Sequence, residues 1–141
     1  MLLKSERLGR FYGFDAWLAN IDRHVGNILI GRRAYLIDHG RCFTGPTWKA
    51  ADLNAAAIFR QRLKEWLTPL IEDVDLRRLA AEAAAMTTEL ANVDIEAVVK
   101  ANRVPALLGQ SDVDALVAFL RDRIVHVPRI AADALNQSMV A

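Results

Sequence analysis

Two short β-prone runs stand close together in a chain whose pattern is otherwise helical, and they limit its fold more than any other feature. Ile28-Leu29-Ile30 and Ala34-Tyr35-Leu36-Ile37 flank the link Gly31-Arg32-Arg33. A three-residue link containing glycine between such runs predicts an antiparallel hairpin centred near Arg32. Elsewhere apolar residues recur every three or four positions, the period of a helix face. Leu8, Phe11, Phe14, Trp17 and Leu18 predict a helix ending near Ala19-Asn20, followed by a loop from Ile21 to Gly26. After the hairpin, Gly40 to Pro46 reads as irregular.

The rest of the chain predicts about four more helices. Asp52 is expected to open one with Leu53, Ala57, Phe59, Leu63 and Trp66 inward. Leu76, Leu79, Ala83, Met86 and Leu90 mark the next. Asn92 or Asp94 caps a short helix that fails near Pro105. Ser111 and Asp114 form a near capping box for a helix with Val113, Leu116, Leu120 and Ile124 inward. Pro128 opens a last, shorter helix. At 141 residues, 53% of them apolar, the chain suits one domain, residues 1–141, with a real core. Its first part, 1–48, holds most aromatics and glycines and all the unusual polar clusters; 49–141 reads as a helical bundle.

Composition excludes several functions. Eighteen basic against 17 acidic side chains leave a net charge of +1, which makes no case for nucleic acid or an anionic membrane. A single cysteine, Cys42, cannot form an internal disulfide, so a reducing, cytoplasmic setting is expected. Lys4, Ser5 and Glu6 follow Met1-Leu2-Leu3 directly, which is no signal-peptide core, and no apolar run is long enough to span a bilayer.

The chemistry is concentrated in Asn20-Ile21-Asp22-Arg23-His24-Val25-Gly26-Asn27 and Leu36-Ile37-Asp38-His39-Gly40. A hairpin folded about Arg32 sets Asn27 five residues before the turn centre and Asp38 six after it. That places both on adjacent strands at the open end of the ribbon, less than about 5 Å apart across the pair. Asp22 enters from the adjoining loop. Three oxygen-bearing side chains then converge where a hard divalent cation such as Mg²⁺ could be shared with phosphates and water. An amide from Asn27 and a carboxylate from Asp38 leave Asp22 free to orient a hydroxyl and accept its proton. The competing reading is a loop held by Asx turns and side-chain caps.

An Asp, an Asn five residues on, a hairpin, then an Asp followed two residues later by Gly resembles the protein-kinase-like pattern. Asp22-Arg23-His24 with Asn27 looks like the version in HipA-like and phosphatidylinositol kinases, where Arg and His follow the Asp. Trp17, Asn20, Gly26-Asn27 and the helical tail from Val104-Pro105 to Ile130 resemble the HipA-like branch more. The resemblance implies a mainly α, kinase-like C-lobe of about five to six helices with one short β hairpin carrying the site. It implies Asp22 as catalytic base, Asn27 and Asp38 as metal and cofactor ligands, and ATP with Mg²⁺ as cofactors. The acceptor it implies is a hydroxyl of protein Ser or Thr. A kinase of this type also uses an N-lobe with a glycine-rich cover and a strand lysine. No such loop precedes the site here, and Lys4 sits in a short polar start. The chain is then a fragment, a split protein completed by an N-lobe-bearing partner, or a degenerate descendant acting as a protein-binding module. Loss of the N-lobe is expected to expose an apolar face near Phe11, Phe14 and Phe43 that invites a partner or a homodimer.

Neighbouring residues have plainer expectations. His24 is expected to shape the loop through backbone hydrogen bonds, and Arg23 to meet an acidic group, a phosphate, or solvent. Trp17, Trp48 and Trp66 are expected as core anchors, and Cys42 as a small buried hydrophobe. Arg32-Arg33 is expected as an exposed basic pair and His126 at a helix end.

Overall fold

The computed structural model describes residues 2–137 and is mainly α-helical with one two-stranded antiparallel hairpin. Among the described residues there are six α-helices: α1 (Leu8–Leu18), α2 (Arg62–Trp66), α3 (Asp73–Ala91), α4 (Ile95–Ala101), α5 (Gln110–Arg123) and α6 (Val127–Ala134). The ribbon is β1 (Ile28–Ile30) and β2 (Ala34–Leu36), paired Ile28↔Leu36, Leu29↔Tyr35 and Ile30↔Ala34. That register centres the turn on Arg32, as the sequence predicts. No helix among the described residues is long and apolar enough to cross a membrane.

The main core forms where α1, α3 and α6 meet. The expected face of α3 is buried throughout, from Leu76 through Ala83 to Leu90. Helix α1 packs on it backbone to backbone. A Cβ on Gly13 would come within 2.5 Å of Met86 Sδ, and one on Gly9 within 2.6 Å of Glu82 Cβ, so both positions require glycine. Ile28 and Ala34 turn the inner face of the ribbon onto this core. A second apolar cluster joins α4 and α5 to Ala19; Trp17 and Ile124 pack against both clusters. Trp17 also donates from Nε1 to the Leu120 carbonyl at 2.8 Å, tying the end of α1 to α5.

One expected helix start and one expected cap fail. Asp52 does not open a helix; it closes a 3-10 turn, Ala50–Asp52, where its Oδ2 accepts the Lys49 N–H at 2.8 Å. Residues 53–61 then run as an irregular strap whose burial alternates residue by residue, so Leu53, Ala57 and Phe59 are only half-buried. Tertiary bonds override helix propensity here. Arg123, 1% exposed, donates to the carbonyls of Asn54, Ala55 and Ala57 and to that of Ala16, and lies over the rings of Phe59 and Phe119. Burial pushes its guanidinium down to about 10, with the charge of Arg129 adding to the effect. Ser111 likewise caps nothing: Gly109 is the N-cap of α5, and Ser111 is already helical. The other signals hold. Asp94 caps α4 by accepting the Ala97 N–H at 3.0 Å, and Pro128 lies in the first turn of α6.

Candidate phosphoryl-transfer and metal site

The loop of residues 20–27 is built around one buried arginine. Arg23 is 1% exposed and grips Asp15 of α1 with both arms, Nε to Oδ2 at 2.9 Å and Nη2 to Oδ1 at 2.8 Å. Its Nη1 donates to the carbonyls of Asn27 and Ile37 at 3.2 and 2.7 Å, so one guanidinium holds both strands of the ribbon at their open end. Its Nη2 also meets His39 Nδ1 at 3.2 Å. A guanidinium only donates, so Nδ1 is the acceptor in this contact. Burial pushes the Asp15 carboxyl up from its ordinary value, while its bonds to Arg23 and Asn20 and the charge of Arg23 pull it back. The loop is also pinned from α2, where Trp66 Nε1 donates to the Arg23 carbonyl at 2.8 Å.

Asn27 closes the loop on itself. Its Oδ1 accepts the His24 N–H at 2.9 Å and its Nδ2 donates to the Asp22 carbonyl at 3.2 Å. His24 caps the 3-10 turn Val25–Asn27, its Nδ1 accepting the Gly26 N–H at 3.1 Å, the backbone role the sequence suggests. The expectation that Asn27 and Asp38 both lie on strands needs correction. Asn27 ends the 3-10 turn before β1, its carbonyl accepting the Ile37 N–H at 3.0 Å. Asp38 lies two residues beyond β2, with φ at 54°, and its Oδ1 accepts the Gly40 N–H at 3.2 Å. Asp tolerates this left-handed backbone because its short side chain bonds locally. The two residues flank the open end of the ribbon, Asn27 buried and Asp38 exposed.

Asp22 is a third exposed. The Asn20 Oδ1 accepts its N–H at 3.0 Å and so orients the peptide. Its Oδ1 pairs with Arg62 Nη1 at 2.9 Å; its Oδ2 faces His24 Nε2 at 3.8 Å. Oδ2 is therefore the oxygen open to a reacting group. Arg62 carries no signal in the sequence, being forty residues away. Asp15 carries one: an acid on the inward stripe of α1, four residues after Phe11 and one before Ala16.

The donor chemistry suits a hard cation held jointly with phosphate. Asp38 has a carboxylate oxygen without a partner among the described residues, and the Asn27 amide oxygen keeps a second lone pair. Among the described residues no three His, Cys, Asp or Glu side chains gather closely enough to hold a metal by themselves. The apolar face expected near Phe11, Phe14 and Phe43 is not exposed. Phe11 is in the core, Phe14 packs edge-on against His39, and Phe43 packs against Trp48 and Phe119. The exposed apolar groups beside the site are instead Val25, Leu29, Tyr35 and Ile37, with Leu29 and Tyr35 directly paired on the outer face of the ribbon. Comparison with known proteins finds no family model, no curated protein and no solved structure that matches this chain.

Proposed function

We propose that this chain is the C-lobe of a HipA-like kinase fold, serving Mg²⁺- and ATP-dependent phosphoryl transfer to a hydroxyl, of protein Ser or Thr by the resemblance. The observation that carries this is the Arg23 anchor. It binds α1, the loop bearing Asp22 and both ends of the ribbon that bear Asn27 and Asp38. Positioning of that kind is most of what phosphoryl transfer asks of a protein. In the proposed reaction Asp22 Oδ2 orients the acceptor hydroxyl and takes its proton as the oxygen bonds to the γ-phosphorus and the bond to ADP breaks. Arg62 fixes the other carboxylate oxygen. Asn27 and Asp38 would hold Mg²⁺, which when bound neutralises phosphate charge. An N-lobe, in the same polypeptide or a partner, would complete the nucleotide site.

Manganese tests the assignment, because its unpaired electrons broaden nearby NMR signals even in weak complexes. Mn²⁺–ATP should selectively broaden the amides of Ile37, His39 and Gly40, and Asp38→Asn should abolish the effect. Broadening centred on another part of the fold, or unchanged in Asp38→Asn, would overturn the site. The second reading, a binding module, is favoured by the occupied Oδ1 of Asp22 and by the apolar outer face of the ribbon. Full transfer activity in an Asp22→Asn variant, or none in the unchanged chain with an N-lobe supplied, would select it.

A further inference from the structure

At the closed end of the ribbon, away from Asp22 and Asp38, the N-terminal turn and the hairpin tip enclose a cleft of about 420 Å³. Lys4, Arg7, Arg32 and Arg33 line it against a single carboxylate, Glu6. Four cations against one anion leave three positive charges in one cleft, in a chain whose whole net charge is +1. None of the four makes an ion pair among the described residues, although nine pairs of Lys or Arg with a carboxylate occur elsewhere in the fold. Like charges left this close without a counter-charge repel unless an anion joins them.

The cleft is also partly pre-formed. Arg7 is half-buried, donates to the Ala34 carbonyl at 3.4 Å and lies over the Tyr35 ring at 5.1 Å, so its guanidinium is fixed across the ribbon. Ser5, also half-buried, accepts the Arg7 N–H at 3.2 Å, and its own O–H has no protein acceptor among the described residues. A hydroxyl in that state can donate to an oxyanion. Ile30 and Ala34 give the opposite wall an apolar character.

We propose that this cleft binds a soluble, small diphosphate-type anion. Lys4, Arg32 and Arg33 neutralise its charge, Arg7 grips it with a fixed fork, and Ser5 donates a hydrogen bond. The volume falls in the range of small-ligand sites, and the apolar wall leaves space for a compact organic group. The proposal goes beyond the phosphoryl-transfer reading and does not depend on it, because the cleft shares no residue with that site.

Calorimetry of the full chain with inorganic pyrophosphate, in EDTA at low ionic strength, tests it. EDTA silences any metal-dependent binding near Asp38. One saturable site is expected, weakening as salt is added. Arg33→Glu reverses a charge in an exposed link and should weaken the dissociation constant at least about tenfold. Lys100→Glu, an equally exposed cation on α4, should change it less than about twofold, as should Asp38→Asn. If Arg33→Glu loses its helical circular dichroism, Lys4→Glu serves in its place. Absence of saturable binding, or an equal loss in Lys100→Glu, would overturn the proposal. So would binding to vesicles containing phosphatidic acid with none to free pyrophosphate.

Discussion

Replacing Asp15 by Asn would leave the Arg23 guanidinium buried without a counter-charge. The amide keeps the volume and can still accept one hydrogen bond, so packing is nearly unchanged and the loss is electrostatic. Arg23 and Asp15 are 1% and 8% exposed, well away from the solvent screening that weakens surface pairs. Removing one partner of such a pair costs about 3–5 kcal/mol. A domain of this size is stable by only about 5–15 kcal/mol, so Asp15→Asn should remove at least about a fifth of the total and lower Tm by roughly 10 °C. Arg23→Lys keeps the charge but not the fork, and cannot reach the two Asp15 oxygens and the Asn27 and Ile37 carbonyls together; about 2 kcal/mol is expected. Asp15→Leu with Arg23→Met should cost less than the sum of the single changes, with a coupling of about 2 kcal/mol. Urea denaturation of the single variants and the pair supplies every term. A cost below about 1 kcal/mol for Asp15→Asn, or strict additivity, would refute the reasoning that this pair organises the loop.

Other expectations follow from the same geometry. Arg62→Gln should cost less than about 1 kcal/mol, because its pair with Asp22 is about a third exposed; a loss above 2 kcal/mol in the same urea assay would contradict that. With an N-lobe supplied, Asp22→Asn should lower phosphate transfer about 10²–10⁴-fold without rescue by excess Mg²⁺, whereas excess Mg²⁺ should partly restore Asp38→Asn. Arg123→Met should cost about 3 kcal/mol, because four carbonyls lose their donor together; thermal melting at or above that of the unchanged protein would show that the strap does not depend on it. Burial, with the charge of Asp15 adding to it and that of Arg23 opposing it, pushes the Cys42 thiol up to about 12 from an ordinary 9.0. Its contribution to stability is present in full below pH 9 and lost as pH climbs toward 12, and alkylation by iodoacetamide at pH 9 should be several hundredfold slower in native than in urea-unfolded protein.

Where local chemistry decided the outcome, the sequence was readable. The hairpin turn, the face of α3, the Asp94 cap and the Pro128 start follow from propensity and period alone. The 53–61 strap defeats the same reasoning. Leu53, Ala57, Phe59 and Leu63 fit a helix stripe, but Arg123, more than sixty residues away, claims the strap carbonyls instead. The site divides in the same manner. Asp22, Asn27 and Asp38 stand out by spacing, and Asp15 is legible as an acid on an apolar stripe. Arg62 is not, because only tertiary folding brings it to Asp22. Asp38 fell just past the ribbon because its backbone leaves the extended region at φ 54°, which the β-prone pattern of residues 34–37 does not foretell.

The strap also separates order from hydrogen-exchange protection. Its carbonyls are bonded to Arg123 and, at Ala56, to Arg129, yet the N–H groups of Ile58, Phe59 and Arg60 find no protein acceptor among the described residues. Exchange reports on the donor side of a hydrogen bond. These amides should therefore trade deuterium quickly, as a frayed segment would, while the backbone stays fixed by side chains from the far end of the chain. A map of protection would draw a gap between β2 and α2 across a segment that is locked in place, and only a probe of carbonyls or of side-chain order would reveal the lock.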